Sequence, residues 1–332
     1  MIKLIIQIPC YNEEETLPVT IKDLPRSIEG VDIIETLIID DGSSDKTVDV
    51  ARSLGVNHII HHTNNKGLAE AFMSGLDACL KLGANIIVNT DGDNQYCGDS
   101  IADLIQPILK GEADIVIGDR QVNRIPHFSF IKKRLQTLGS WVVSHVSGTQ
   151  VPDVTSGFRA FSREAVLRLN VISDFTYTLE TIIQAGKKNI ALISVPVRTN
   201  KELRHSRLFK SIPSYLKRSI NTIFRIYTMY EPFKSFSIIG GVVFSGGFLL
   251  SLRFLYFYFT SDGAGHIQSL ILSAVLMLIG FQIIIVGLVA DLIGRNRQLI
   301  EDMQYRVKKL EIAYTHKRDH RYKYEKNKEE KD

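Results

Sequence analysis

Cysteine is scarce in this chain. Cys10, Cys79 and Cys97 are its only three, and their spacing is not that of a zinc or iron–sulfur ligand set. A disulfide framework and a thiolate metal centre are thereby excluded, and what remains is reduced thiols of packing value. Charge of one sign is lacking as well: 40 Lys and Arg stand against 36 Asp and Glu, a formal net charge of +4. So small an excess gives no reason to expect a nucleic-acid partner. The first residues, MIKLIIQIPCYNEEE, lack the succession of basic region, apolar core and small-residue cleavage site, so no cleavable signal peptide is expected. Tryptophan occurs once, at Trp141.

Long apolar runs, by contrast, are present. The mean hydropathy of +0.03 averages a soluble part with a membrane part. From Phe236 to Thr260 only Arg253 is charged, and from Ile267 to Ala290 nothing is. Each run meets the ~20 residues that a helix needs to cross ~30 Å of hydrocarbon. Arg253 lies about five turns into the first run, near the far interface, where its guanidinium can snorkel outward. The connection Ser261–His266 has no Lys or Arg, whereas Lys210, Lys217, Arg218, Arg225 and Lys234 precede the pair and Arg295 and Arg297 follow it. The positive-inside rule then predicts an integral membrane protein with two spans, its large N-terminal part and both termini cytoplasmic. Basic residues beside the spans suit anionic headgroups.

Ahead of the spans, short Ile/Val-rich runs alternate with helical patterns. Lys3–Pro9 precedes a helix over Glu13–Ser27, Ile33–Ile39 one over Asp45–Leu54, and His58–His61 one over Lys66–Leu82. Ile86–Thr90 precedes one over Asp99–Leu109, and Asp114–Gly118 closes the series. Continuous rather than alternating apolar residues mark strands buried on both faces, hence an α/β domain with a mostly parallel, Rossmann-like sheet and ligands at the strands' carboxyl ends. Polar groups stand at those ends. After the first run Pro9 stops the strand, and Asn12 with the glutamates opens a helix. The second ends in DDGSSD (Asp40–Asp45), with Ser and Asp to cap the next helix. Asn65-Lys66-Gly67 turns into a helix whose amino end points amides at any anion. The fourth run ends on DGDNQY, where Asp91 and Asp93 with Gln95 form an oxygen-rich cradle suited to Mg²⁺ or Mn²⁺ with positions open to phosphates. Taken alone, Asp-x-Asp is equally a solvated turn. Arg120 follows the fifth run.

Further on, Lys132, Lys133 and Arg134 are either a solvated helix face or a phosphate dock. VPDVTSGFRAFSREAVLRL (Val151–Leu169) offers a Gly-flanked turn, Arg159, and Ser162 with Glu164 at a helix start, and Phe175–Gly186 reads as a helix with Glu180 among apolar neighbours, structural or poised at a site. Residues 204–230 alternate bulky apolar with basic residues, an interfacial amphipathic pattern broken at Pro213. Beyond the spans, Ile300, Met303, Val307, Leu310 and Tyr314 fall at heptad spacing for barely two heptads, which permits a homo-oligomer without requiring one. The stretch after His316 is charged, lacks bulky aliphatics and is expected to be disordered. The resulting division is 1–207 as the catalytic-type domain, 208–234 as interfacial helices, 235–292 as two transmembrane helices and 293–332 as a charged helix and tail.

IPCYNEEE, DDGSSD, NKG, DGDNQ, GDR and TSGFRAFSREA, in that order over residues 5 to 207, resemble the inverting GT-A glycosyltransferases of family 2. The subgroup most similar is that of the dolichol-phosphate mannose and polyprenyl-phosphate glucose synthases. The resemblance implies a GT-A domain in which Pro9, Tyr11 and Glu13 line a nucleotide-sugar pocket, Asp41 accepts a hydrogen bond from the base, and Lys66 and Gly67 sit by ribose and diphosphate. It implies that Asp91, Asp93 and Gln95 hold a divalent metal between the phosphates and that Arg120 neutralises the departing diphosphate. Lys133 and Thr137, in a segment similar to the family's acceptor loop, would meet the phosphate of a polyprenyl lipid, as would Arg204, Ser206 and Arg207. That last motif departs from the family's Gly-x-Ser-Lys-Leu, reading Arg204-His205-Ser206-Arg207-Leu208. The Gln-x-x-Arg-Trp motif of processive synthases is missing around Trp141, which speaks against a polymerase.

A polyprenyl phosphate is already anionic at neutral pH, so its attack on a sugar needs no general base, and no motif nominates one unambiguously. The reading is therefore transfer of a hexose from a GDP- or UDP-sugar to dolichyl or undecaprenyl phosphate. Two alternatives stay open: transfer to another lipid or hydroxyl with Glu180 as base, and a non-catalytic membrane protein that only binds a nucleotide sugar.

Overall fold

The computed structural model describes residues 1–121, 139–144, 147–171, 177–200, 221, 225, 228, 230–260 and 267–329. Two compact units emerge, Met1–Ile223 together with Tyr305–Asp332, and Phe224–Gln304.

In the first unit seven strands form one sheet: β1 (Lys3–Cys10), β2 (Ile33–Asp40), β3 (His58–His61), β4 (Ile86–Asn89), β5 (Ile115–Asp119), β6 (Arg159–Ser162) and β7 (Leu192–Pro196). Their spatial order is β3-β2-β1-β4-β6-β5-β7. Helices α1 (Leu17–Asp23), α2 (Thr47–Ser53), α3 (Leu68–Lys81), α4 (Ser100–Leu109), α5 (Arg163–Arg168) and α6 (Tyr177–Lys187) connect and cover them. The continuous apolar runs are buried on both faces as their patterning requires: Leu4, Ile5, Ile6 and Ile8 of β1 and Ile86, Ile87 and Val88 of β4 lie within the core. Helix α3 packs directly on the sheet because Gly75 brings its backbone against Gln7 and Ile39.

The chain winds outward from β1 to β3 and then crosses back to lay β4 on the other side of β1. That reversal is the place where open α/β sheets leave a crevice at the strands' carboxyl ends. Strand β6 runs antiparallel to both β4 and β5. Its start, Arg159, pairs with the end of β4, Asn89, and so the segment 155–157 arrives at the same crevice. The sequence pattern marks no strand at Arg159–Ser162 or at Leu192–Pro196. Neither is an uninterrupted apolar run, since RAFS opens on Arg159 and closes on Ser162 and LISVP is broken by Ser194.

Pro9 does not stop the first strand, which runs through Cys10 with Pro9 opposite Ile39 and Cys10 opposite Asp40. Its missing donor costs nothing there. The odd residues of β1 face β4, as the bonds from Asn85 N to Lys3 O and from Thr90 N to Gln7 O show, and pairing with β4 ends at Gln7. Helix α1 begins only at Leu17, because Asn12 takes φ 55° and starts a loop instead of a helix.

The second unit contains helix α7 (Pro232–Thr260) and most of α8, which spans Ile267–Glu329. Within Pro232–Thr260 and Ile267–Tyr314 both are long and apolar enough to cross a membrane. They meet through small residues. A Cβ at Gly240 would lie 2.7 Å from the Gly280 carbonyl oxygen, and one at Gly247 2.9 Å from the Met277 amide nitrogen. Where a disordered tail was expected, α8 continues to Glu329. An existing helix needs no new nucleus to extend, and Lys, Arg and Glu propagate it well.

Candidate active site

The β1–α1 and β2–α2 loops are laced together by residues that the motifs singled out. Asn12 N donates to Ser43 Oγ at 2.8 Å, and Asn12 Oδ1 accepts from Ser44 N at 2.8 Å. Glu13 N donates to Thr47 Oγ1 at 2.9 Å. The Glu13 carboxylate is buried and accepts from Thr16 Oγ1 at 2.7 Å. Instead of a cap from the adjoining residue, α2 receives one from Asp45, whose Oδ1 accepts from Thr47 N at 2.9 Å. Pro9 is buried and Tyr11 exposed at the crevice.

Asp41 is the anchor of the next loop. Its Oδ1 accepts from Lys66 N at 2.9 Å and its Oδ2 from Gly67 N at 2.8 Å, so one buried carboxylate fixes the turn leading into α3. The turn can come this close because position 42 is glycine: at φ 72°, a Cβ there would lie 2.5–2.8 Å from the backbone of Asn64 and Asn65. The Lys66 side chain is exposed.

At the tip of β4, Asp91, Asp93 and Gln95 are half-buried, and Asp93 Oδ1 accepts from Gln95 N at 3.2 Å. Gly92 turns inward, where Thr20 Oγ1 donates to its carbonyl at 3.0 Å. A polar stack lies beneath. Gln7 Nε2 donates to Asn89 Oδ1 at 2.9 Å, and Asn89 Nδ2 donates to Gly157 O at 2.9 Å and to Tyr177 Oη at 3.0 Å. Tyr177 is stacked on Phe72, with ring centroids 3.8 Å apart. Gly157 leaves no room for a side chain: a Cβ would stand 2.9 Å from Tyr177 Oη and 3.0 and 3.1 Å from the two oxygens of Asp91. Asp91 is thus held against bare backbone.

Arg120 is clamped by a residue that the motifs did not flag. Its Nε and Nη2 donate to Asp153 at 2.6 and 3.0 Å, and Nη2 donates also to Thr155 Oγ1 at 2.7 Å. Burial opposes the Arg120 charge, yet Tyr96, Asp153 and Asp91 around it hold its pKa above the ordinary value. Burial works on Asp153 too, but Arg120 outweighs it and keeps that carboxyl below the usual range. Burial pushes Tyr96 up to about 12, and the neutral phenol accepts from Gly157 N at 3.1 Å. Arg159, wholly buried, donates to the carbonyls of Ser156 and Val154 at 2.8 and 3.0 Å and so shapes the 154–157 turn.

The segment after β7 is tied to the Asp-x-Asp loop. Asn200 N donates to Gln95 O at 2.9 Å and Asn200 Nδ2 to Asn94 O at 3.2 Å. Lys133, Thr137, Arg204, Ser206 and Arg207 lie outside the described residues. Glu180 is 1% exposed and accepts from Gln184 Nε2 at 3.1 Å, a setting within the core of α6. Among the described residues no three His, Cys, Asp or Glu side chains converge on a point. Asp91 and Asp93 fit Mg²⁺ or Mn²⁺ in the way such ions prefer, one or two carboxylates with the remaining positions left to water and phosphate.

Gln7, Asn89, Asp153 and Tyr177 were missed. Gln7 and Asn89 did leave a signal, as polar residues inside otherwise apolar strands, since such groups are kept only where they are bonded.

Comparison with known proteins supplies the context. Residues 5–169 match the profile described as glycosyl transferase family 2. The UDP-N-acetylglucosamine–dolichyl-phosphate N-acetylglucosaminyltransferase of Methanococcus voltae is 32% identical over 58% of this chain and 83% of its own. The undecaprenyl-phosphate 4-deoxy-4-formamido-L-arabinose transferase of Photorhabdus laumondii is 27% identical over 88% of this chain and 89% of its own. Glucosyl-3-phosphoglycerate synthase of Mycobacterium tuberculosis, solved with Mn²⁺, UDP and glucosyl-3-phosphoglycerate, superposes with a TM-score of 0.52 at 18% identity, covering 68% of this chain and 78% of that one.

Proposed function

The chain belongs to glycosyl transferase family 2 and carries the GT-A fold, and from that premise we propose that it moves a hexose from a GDP- or UDP-sugar onto a polyprenyl phosphate, dolichyl or undecaprenyl. Transfer inverts the anomeric centre and takes place at the cytoplasmic face of a membrane that the two apolar helices span. The observation that carries this reading is Asp91 and Asp93 at the strand reversal, in a chain whose relative from Photorhabdus laumondii, named for an undecaprenyl-phosphate substrate, aligns with it over 88% of its length.

In this mechanism Pro9, Tyr11 and Glu13 line the nucleotide site, Asp41 accepts from the base, and Lys66 and Gly67 adjoin the ribose and diphosphate. Asp91, Asp93 and Gln95 would hold Mg²⁺ or Mn²⁺, which supplies Lewis-acid stabilisation of the diphosphate when bound. Asp153 grips the Nε/Nη2 edge of Arg120, and its pKa, raised rather than lowered, keeps a permanent positive charge available to the leaving group. Lys133, Thr137, Arg204, Ser206 and Arg207 are assigned to the acceptor phosphate. Positioning that oxygen behind the anomeric carbon is the remaining task, since the phosphate is ionised without help. The burial of Glu180 and its bond to Gln184 favour a structural role over that of a base for a hydroxyl acceptor.

The test is a panel of nucleotide sugars with Mn²⁺ or Mg²⁺ and polyprenyl phosphate, the products separated by thin-layer chromatography. A sugar-phosphate lipid from one donor is the expected result. Label appearing only on diacylglycerol or protein hydroxyls, or no transfer with intact nucleotide-sugar binding, would overturn the proposal.

A further inference from the structure

The carboxylate at the heart of the proposed nucleotide site has a third donor besides the two amides. His62, at the end of β3, is only 6% exposed, and its Nδ1 lies 2.8 Å from Asp41 Oδ1. Its Nε2 lies 3.1 Å from Ser74 Oγ on α3. Register explains the meeting. Strands β2 and β3 run parallel with Asp40 opposite His61, and His62 N continues the ladder by donating to Asp40 O at 2.9 Å. Two consecutive acids therefore face two consecutive histidines. His61 Nδ1, on the exposed side, reaches Asp40 Oδ2 at 2.6 Å, whereas His62 turns inward to Asp41.

An ionised carboxylate only accepts, so the bond to Asp41 requires the proton on Nδ1, and in the neutral ring Nε2 is then left to accept from the Ser74 hydroxyl. With Lys66 N, Gly67 N and His62 Nδ1 all directed at Asp41, both oxygens are fixed. What is left to the carboxylate is acceptor capacity in one remaining direction. A group so constrained selects ligands by a donor in that place, as a nucleobase N–H provides, and gains affinity by losing no rotamer freedom on binding.

We propose that His62, locked by Ser74, is a positioning residue that aims Asp41 at the nucleobase of the donor, and so sets affinity for the nucleoside end of the substrate. This rests on the reading of Asp41 as the base contact. In the same reading the diphosphate is met chiefly by Asp91, Asp93, Gln95 and Arg120, and the amides of Lys66 and Gly67 keep Asp41 as their acceptor when His62 is altered, so the two halves of the donor respond differently.

The experiment uses the full-length chain in detergent with Mn²⁺ and measures inhibition of transfer by UDP, GDP and inorganic diphosphate, together with direct binding of each by calorimetry. His62→Leu is expected to weaken the nucleoside diphosphate that the unaltered protein binds by roughly tenfold, the worth of one hydrogen bond to a charged group. Inorganic diphosphate is expected to stay within about twofold, and the donor KM to rise with kcat little changed. His62→Asn, whose amide can donate from near the place of Nδ1, recovers most of the loss, and Ser74→Ala shifts the same affinity in the same direction by less. Equal weakening of nucleotide and diphosphate would mean a packing role and overturn the proposal. So would an unshifted nucleotide affinity in His62→Leu or, if that variant does not fold, in Ser74→Ala. Asp41→Asn separates the two layers. If it leaves nucleotide binding intact, the base contact itself is wrong; if it weakens binding while the His62 variants do not, only the positioning role fails.

Discussion

At the scale of single residues, the consequences concentrate on three side chains and one glycine. Asp91→Ala or Asp93→Ala removes a carboxylate from a solvent-reachable turn, so the protein stays folded and membrane-bound while metal-dependent transfer falls by at least ~10²-fold, the usual loss when a stabiliser of developing charge is removed. Turnover of lipid-linked sugar alongside circular dichroism reads both. Gly157→Ala places a methyl group 2.9 Å from Tyr177 Oη and 3.0 Å from Asp91. Tyr177 is fixed by its stack on Phe72, and the strain amounts to about 1–3 kcal/mol, seen as a lower melting temperature together with weaker Mn²⁺ binding. Asp153→Asn breaks the buried clamp on Arg120 and is expected to cost about 3–5 kcal/mol. The sign with pH follows from the depressed Asp153 pKa. Its contribution is complete above the unfolded value near ~3.9 and is lost as pH falls through the lower folded value, so the variant's acid unfolding is less steep when followed by tryptophan fluorescence. Gly157 and Arg120 were visible in the sequence through their motifs. Asp153 and His62 were not, because what singles them out is a partner brought near by the sheet, and no local pattern records it.

Among the elements, the strands that read as Ile/Val-rich runs were legible, the 4-residue β3 and β4 included, and those without such a run were not. Strand β1 and strand β2, each 8 residues, show their burial in composition alone. Strand β6, 4 residues wedged antiparallel between β4 and β5, is recognisable only once its neighbours are placed, yet it is what carries Gly157 to Asp91. The far end of α8 was misread from its charge, since solvation of a side chain and helicity of its backbone are separate matters. The last part of that helix, from Tyr305 on, belongs to the same unit as the sheet. Tyr305 Oη donates to Glu164 Oε1 at 2.8 Å, and the Arg168 guanidinium lies 5.4 Å from the Tyr305 ring centroid. Truncation after His316 is therefore expected to leave transfer and melting temperature unchanged, whereas Tyr305→Ala lowers thermal stability by about 1 kcal/mol for the lost bond to a carboxylate. A truncation after His316 that expresses well and is inactive would count against this account of the tail.

For the molecule as a whole, the soluble-type motifs and the apolar helices make separate demands. Chelation is expected to stop turnover, and added Mn²⁺ or Mg²⁺ to restore it, in protein that remains in the membrane through an alkaline carbonate wash; turnover untouched by chelator would remove the metal from the scheme. The six motifs stand in order in the sequence and nominate the residues of the proposed nucleotide end. The acceptor end, from Lys133 to Arg207, rests on resemblance alone. The hairpin has a consequence of its own. Gly240 and Gly280 bring two backbones so close that even a methyl group would strike a carbonyl, and that seam is shut to anything as thick as a hydrocarbon chain. An isoprenoid with some dozens of carbons has no slot at that crossing. A polyprenyl acceptor of the kind proposed would then pass along the outer flank of the two helices, entering sideways from the surrounding bilayer and leaving the same way, loaded with its sugar.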